Sequence, residues 1–328
     1  MTATRTGRRP FGRGGLEVGP IGYGAAALGE LYEPRPADEW PRIVPAAWDA
    51  GIRYFDAAPH YGLGLAEERL GAGLRGRPRD EYVLSTKVGR VLEPNPDYRP
   101  GDTDIANLFA TPATLRRRRD YSRDGVLRSV EDSLRRLGVD RIDVLLVHDP
   151  DEYEREALEG AFPALEELRS QGVIRSYGAG MNQSAMLTRF VRETDLDIVM
   201  CAGRYTLLDH AAERDLLPAA RERGVSVAVA AVFNSGILAT DRPVASAKFD
   251  YGAAPADLVA RTNRIADIAE PYGVTVPQLA VQFPLRDAAV STVVLGADSA
   301  AQIERNASLA DAPVPDGLWA ELAADGLV

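Results

Sequence analysis

Along the chain, short runs dense in β-branched and aromatic residues alternate with longer stretches whose apolar positions recur at helical spacing. The short runs are residues 21–25 (IGYGA), 53–56 (RYFD), 82–87 (YVLSTK), 143–148 (DVLLVH), 176–180 (SYGAG), 197–201 (DIVMC), 226–231 (SVAVAA) and 292–296 (TVVLG). Between them lie segments such as DGVLRSVEDSLRRLG, for which Asp124 is the expected N-cap and Gly138 the stop. Eight strand-and-helix units over roughly 300 residues predict the α/β class, an eight-stranded parallel (β/α)8 TIM barrel forming a single domain over residues 1–328. Pro41 and Pro45 fall inside the first helical stretch and imply a late start or a kink there.

Most successive strands start roughly 20 to 35 residues apart, as strand–helix–strand units require. Two gaps are longer, at residues 88–122 after the third strand and 232–255 after the seventh. Both leave the carboxyl end of a strand, the face on which barrels build their sites, so they are candidate substrate loops rather than linkers. The hexamer GAGLRG (residues 71–76) matches a dinucleotide fingerprint in its letters, but a helical segment precedes it and a strand follows. That context reverses the strand–glycine–helix order that phosphate binding needs, so these glycines are expected to end a helix and make a turn.

Composition narrows the function classes. Of 328 residues, 45% are hydrophobic and 26% charged, and 38 basic against 48 acidic side chains leave a net charge of −10. No general basic field exists for nucleic acid, and the run Arg116 to Arg119, lacking interleaved aromatics, reads as solvated surface. The single cysteine, Cys201, sits in an apolar run, fits a buried structural thiol and implies a reducing, cytoplasmic setting. The basic start lacks an apolar signal core, and no stretch of about 18 apolar residues occurs, so neither export nor a membrane association is expected. About the first ten residues are expected to be disordered, and the protein to be a monomer or small homo-oligomer.

The candidate chemistry lies at three consecutive strand ends: Asp56, Lys87 and His148. Adjacent parallel strands place such ends about 5 Å apart, so the side chains can meet on one rim, and Tyr61 follows Asp56 closely enough to fold back over it. A phenol of pKa about 10 is a poor base at neutral pH, but a neighbouring ammonium favours phenolate. Lys87 can supply that charge, Asp56 can hold Lys87 protonated, and His148 can hydrogen-bond a substrate oxygen. Singly, these residues would be an ion pair, a core histidine and a turn aromatic; together they suit carbonyl reduction or alcohol oxidation with hydride carried by a cofactor. A metallohydrolase built from Asp56, His60, His148 and His210 would need paired ligand spacings that the three histidines do not show, and no metal is expected.

The segments YFDAAPHYG, STK, DVLLVHD and GAGMNQS, in this order and on these strands, resemble the aldo-keto reductase family over nearly the whole chain. The resemblance implies Tyr61 as general acid/base, Asp56 and Lys87 as its tuners, and His148 as the group orienting the substrate oxygen. It implies a nicotinamide cofactor, NAD in preference to NADP, near Ala25 and Asp56, with Asn182 on the carboxamide and Met181 where the family usually has serine. Ser235, Gly236 and Leu238 would line the pyrophosphate; Leu295, Gly296, Ala297, Gln302 and Asn306 would surround the adenosine. Phe233 is the nearest candidate for the aromatic that stacks on nicotinamide, and Ala202 stands where the family often has glutamine. Further segments, including APHYGLGLAEERLG and AGRYTLLDH, are similar to the branch of L-fucose and D-threo-aldose 1-dehydrogenases, which also holds a pyridoxal-oxidising relative. That branch implies oxidation of an aldose at C1 to the lactone, with His60 and Arg204 beside the substrate, or turnover of another aldehyde such as pyridoxal. A relative that keeps the barrel as a redox sensor would not need the complete tetrad.

Overall fold

The computed structural model describes residues 7–328. Eight parallel strands close into a barrel in chain order: β1 (Ile21–Gly24), β2 (Tyr54–Asp56), β3 (Val83–Val88), β4 (Val144–His148), β5 (Ser176–Met181), β6 (Ile198–Ala202), β7 (Ser226–Ala230) and β8 (Val290–Gly296), with β8 pairing back onto β1. Each lies within two residues of its expected position, and closure leaves no barrel edge unpaired.

Two apolar cores follow from the period of two along each strand. Tyr54, Val83, Val144, Leu146, Ile198, Met200 and Val294 point inward and pack on Phe11, whose ring lies 4.9 Å from that of Tyr54. Phe55, Leu84, Leu145 and Val147 point outward and pack on helix residues such as Leu70, Val130 and Leu137. The same parity carries the polar ends of the strands. Asp56 continues the inward series from Tyr54, Lys87 from Val83 and Ser85, and His148 from Val144 and Leu146. Thr86, one residue out of phase, faces a helix and donates to buried Glu67 at 2.6 Å.

Phe11 reaches the barrel floor because Arg9–Pro10 pairs antiparallel with Glu17–Val18, and Arg9 donates to the carbonyls of Val290 (2.5 Å) and Leu285 (3.0 Å). Regular structure therefore begins earlier than the disordered start expected over about residues 1–10, of which residues 1–6 lie outside the described residues. The helix at Arg123–Leu137 starts one cap earlier than expected: Ser122 Oγ, not Asp124, accepts from Gly125 N at 3.1 Å, while Gly138 ends it at φ 64. The helix at Trp40–Asp49 takes Pro41 in its first turn, where no N–H is needed, and accommodates Pro45 inside.

The hexamer of residues 71–76 lies, as expected, after helical residues and ahead of a strand, but its first two glycines sit inside the helix rather than ending it. Gly71 and Gly73 lie within the helix Leu65–Leu74, where a Cβ would meet Leu137 O at 2.0 Å and Val44 Cβ at 2.5 Å. They let neighbouring helices approach, and only Gly76 (φ 80) makes the turn.

The long segment after β3 carries a hairpin, Arg90–Pro94 against Leu115–Arg119, and the arginine run forms its second strand, with Arg116, Arg118 and Arg119 exposed as expected and Arg117 half-buried. Alternation sends Arg116 and Arg118 to Glu93 and turns Arg117 towards the barrel, where it holds Asp104 and donates to His60 O at 2.6 Å. The segment after β7 carries a second small hairpin, Lys248–Phe249 against Gly252–Ala253. Its two turn residues, Asp250 and Tyr251, both have positive φ, as a tight hairpin turn requires.

Candidate active site

Inside the upper rim, Lys87 Nζ is surrounded by three acceptors: Asp56 Oδ2 at 2.6 Å, Ala57 O at 2.9 Å and Tyr61 Oη at 3.2 Å. These use all three ammonium hydrogens. Asp56 is held in turn by Ser85 Oγ at 2.7 Å, and Ser85 by Tyr54 Oη at 3.0 Å. Lys87 and Asp56 are both 2% exposed, so the pair is desolvated and its orientation is dictated by packing. Tyr61 arrives from the turn after β2, where Gly62 sits at φ 57 because the backbone of Gly29 lies against it; a Cβ at Gly62 would meet Gly29 O at 2.3 Å.

The electrostatics divide the roles. Burial raises the Tyr61 phenol above its ordinary value, with the Lys87 ammonium pulling the other way. Burial opposes the Lys87 charge as well, but Asp56 and Tyr61 outweigh it and keep the ammonium protonated above the usual lysine range. His148, 7% exposed, has its ring 5.8 Å from that of Tyr61 at 88°. Burial, then Arg90 and Lys87, push its imidazole well below the usual histidine value, so it is neutral at pH 7. His60 is neutral for the same causes, burial followed by Arg90, Arg117 and Arg119, which take it down to about 2. Its Nδ1 is buried without a hydrogen-bond partner among the described residues.

These groups open onto a cavity of about 420 Å³, within the usual size of a small-molecule site. The sequence-chosen residues Asp56, His60, Tyr61, Lys87, His148, Met181, Asn182 and Gly296 all line it. Small residues at Gly24, Gly180, Ala202, Ala230 and Ala231 leave its floor open. Several expected positions lie elsewhere. Ala25 is 0% exposed because the wall is formed by its neighbours Gly24 and Ala26, one residue out of phase with it. Phe233 packs partly against the outer core, and the aromatic lining the cavity on that side is Tyr251. Arg204 is outside the cavity lining: it donates to Asn182 O at 2.7 Å, to Asp209 at 3.2 Å and to both oxygens of Asp250, so it ties the small hairpin to the end of β5. His210 stacks on Phe283, its ring centroid 5.1 Å away, apart from the site. Among the described residues, no three His, Cys, Asp or Glu side chains are grouped to hold a metal ion, and no helix is long and apolar enough to cross a membrane.

The expected dinucleotide residues extend from this cavity. Consecutive positive φ values at Asn234 (44), Ser235 (60) and Gly236 (109) turn the backbone sharply after β7, and Ser235 Oγ accepts from Tyr251 N at 2.9 Å. Leu238 is buried, as are Leu295, Ala297 and Asn306, whose Nδ2 donates to Gly296 O at 3.2 Å. Gln302 is exposed and its Oε1 accepts from Asp298 N at 3.1 Å. Among the described residues, a Cβ at Gly296 would meet nothing within 4 Å, and Asn234 Oδ1 is buried with no partner. Open backbone beside the cavity and an unsatisfied buried acceptor fit a nicotinamide dinucleotide.

Asn107, Leu108, Phe109 and Asp149, like Leu31 and Tyr251, are among the cavity residues that escaped sequence reading. The first three come from the 88–122 segment, whose acids and arginines mainly bind one another, so its contribution to the cavity is one amide and two apolar groups. Asp149 directly follows His148 and was signalled only by that adjacency.

Residues 20–324 match the aldo/keto reductase family. Over 315 residues, 96% of each protein, the chain is 49% identical to the D-threo-aldose 1-dehydrogenase of a Pseudomonas species. It is 43% identical over 340 residues, 98% of each, to the pyridoxal 4-dehydrogenase of Microbacterium luteolum. Among solved structures it resembles the holo form of an aldo-keto reductase from Bacillus halodurans, with a TM-score of 0.75 and 26% identity, covering 97% of this chain and 96% of that one.

Proposed function

The chain belongs to the aldo/keto reductase family, and from that premise we propose that it oxidises an aldose at C1 to the lactone. It is an NAD(P)-dependent oxidoreductase. The observation that carries the reading is the Asp56–Lys87–Tyr61 chain of hydrogen bonds ending, beside neutral His148, in a cavity of small-molecule size. The 49% identity to an aldose dehydrogenase supports the choice of substrate class.

The nicotinamide, when bound, supplies the acceptor for the hydride leaving C1. Asn182 and Met181 would hold its amide end, Ser235, Gly236 and the backbone at Leu238 its pyrophosphate, and Gly296, Gln302 and Asn306 its adenosine side. Tyr61, having first lost its own proton to solvent, takes the proton of the anomeric hydroxyl as the phenolate. The Lys87 ammonium, already 3.2 Å from Tyr61 Oη, stabilises the phenolate that must form, and Asp56 keeps that ammonium charged and aimed. His148 stays neutral and hydrogen-bonds the same substrate oxygen without bringing a second positive charge beside Lys87.

A second reading, oxidation of pyridoxal, draws on the 43% identical relative. Both are tested by one assay: a panel of free aldoses, pyridoxal and simple aldehydes, followed by nicotinamide absorbance in both directions. The proposal expects an aldose to give the highest kcat/KM. Turnover of pyridoxal or simple aldehydes with no response to any aldose would reject the sugar assignment.

A further inference from the structure

Asp149 leaves β4 in a left-handed conformation, φ 41, which costs a residue with a side chain and persists only where the surroundings impose it. Here they do. Its carbonyl accepts from Arg119 Nη1 at 2.9 Å and Tyr121 Oη at 3.0 Å, and its N–H donates to Gly180 O at 3.1 Å. Its carboxylate Oδ2 is held by Arg90 Nη2 at 2.5 Å and lies 3.5 Å from His148 Nε2. Arg90 is itself 6% exposed, so the clamp is built into the wall.

This scaffold presents a half-used carboxylate. Asp149 lines the cavity with its side chain 22% exposed, and no hydrogen bond reaches Oδ1 among the described residues. Burial raises its pKa, with Arg90 opposing, and Oδ1 lacks the hydrogen bonds that would offset the cost of holding a charge here. A carboxylate can only accept hydrogen bonds, and Asp149 lines the space where a ligand would sit.

We propose that Asp149 is a specificity-determining residue that accepts a hydrogen bond from the C2 hydroxyl of the sugar. The proposal rests on the aldose reading. With O1 at Tyr61 and His148, the group beside His148 meets the atom beside C1. In an aldopyranose one neighbour of C1 bears a hydroxyl, which can donate, and the other is the ring oxygen, which cannot. A carboxylate attracts the first and repels the second, so it selects between the two ways of laying the ring down with O1 in place. Arg90 keeps the carboxylate from swinging away to pair elsewhere.

The test measures kcat/KM for the preferred aldose and its 2-deoxy analogue in the wild type, Asp149→Asn and Asp149→Ala, with NAD(H) fluorescence titration confirming that each variant binds cofactor. Asp149→Asn retains an amide oxygen for Arg90 and covers the case in which Asp149→Ala does not fold. The wild type is expected to prefer the parent sugar by ~10²-fold or more, because a site built around a hydroxyl rejects the analogue lacking it. In the variants, the parent sugar is expected to lose ~10-fold to 100-fold and the preference to shrink to about threefold or less. A preference as large in the variants as in the wild type, or none in the wild type, would overturn the proposal. Absence of wild-type turnover on every aldose would instead remove the sugar reading on which it stands.

Discussion

Lys87 donates to Tyr61 Oη over 3.2 Å while burial drives the Tyr61 pKa upward, so the ammonium and the low-dielectric rim act on the same phenol in opposite senses. The resting phenol therefore keeps its proton at neutral pH. Lys87 lowers the cost of forming the phenolate that accepts the sugar's proton, but burial outweighs this pull and the resting pKa stays above its ordinary value.

Replacing Tyr61 by phenylalanine leaves the ring packed against Phe109 and His148 but removes the proton acceptor. We expect kcat for oxidation to fall by ~10²-fold to 10⁴-fold, with cofactor affinity within about twofold of wild type. Steady-state kinetics and fluorescence titration measure the two. Near-normal turnover would take Tyr61 out of the mechanism.

Lys87→Met should destabilise the fold as well as the reaction. It leaves the Asp56 carboxylate 2% exposed with only Ser85 as a side-chain donor, and removing one partner of a buried pair costs about 3–5 kcal/mol. Urea unfolding should show this loss, and the double variant Asp56→Leu/Lys87→Met should recover much of it. No change in unfolding midpoint would mean that the pair is not desolvated in solution.

The pH dependence follows from the raised Tyr61 pKa. Oxidation needs the deprotonated phenol, so its kcat/KM should climb as pH rises towards and beyond about 10, whereas reduction, which needs the protonated form, should not. Lys87→Met removes the downward pull and should carry the climb to higher pH. Rate profiles in both directions decide it; a flat oxidation profile between about pH 6 and 10 would contradict the assignment.

For the cofactor we expect NAD to exceed NADP in kcat/KM by ~10-fold or more, because a 2′-phosphate needs cationic partners. Gly296 and Gln302 offer none, Asp298 adds negative charge, and the nearby Arg35 and Arg305 are engaged by Asp298 at 3.3 Å and by Ala239 O at 2.6 Å. Kinetics with both cofactors test this. An equal or better constant with NADP would show that Arg305 or Arg35 releases its partner to bind phosphate.

The alternation of residues within strands was enough to place the catalytic rim. Tyr54 and Asp56, Val83 and Lys87, and Val144 and His148 share parity, so any barrel with Tyr54, Val83 and Val144 inside must also bring the three ionisable ends inside. Strand order needed nothing more, since consecutive units in a parallel barrel are neighbours. Ala25, placed beside the cofactor by the resemblance, is buried behind the wall, because one residue of phase separates a wall position from an outer-core position and the strand ends at Gly24.

What the chain could not reveal locally depends on contacts between distant segments. The arginine run reads as a charged surface, which holds for Arg116, Arg118 and Arg119; only the pairing of Leu115–Arg119 with Arg90–Pro94 turns Arg117 towards His60 and Arg116 towards Glu93. Arg204 looks available for substrate until the fold brings Asp209 and Asp250 to it. Asp149 becomes distinctive only when Arg90, Arg119 and Tyr121 converge on it from the hairpin and the segment that follows. Strand parity is a property of two or three neighbouring residues and is written in the chain, whereas the pairing of charges across loops is settled by which backbone segments meet, and that is decided by the closed barrel as a whole.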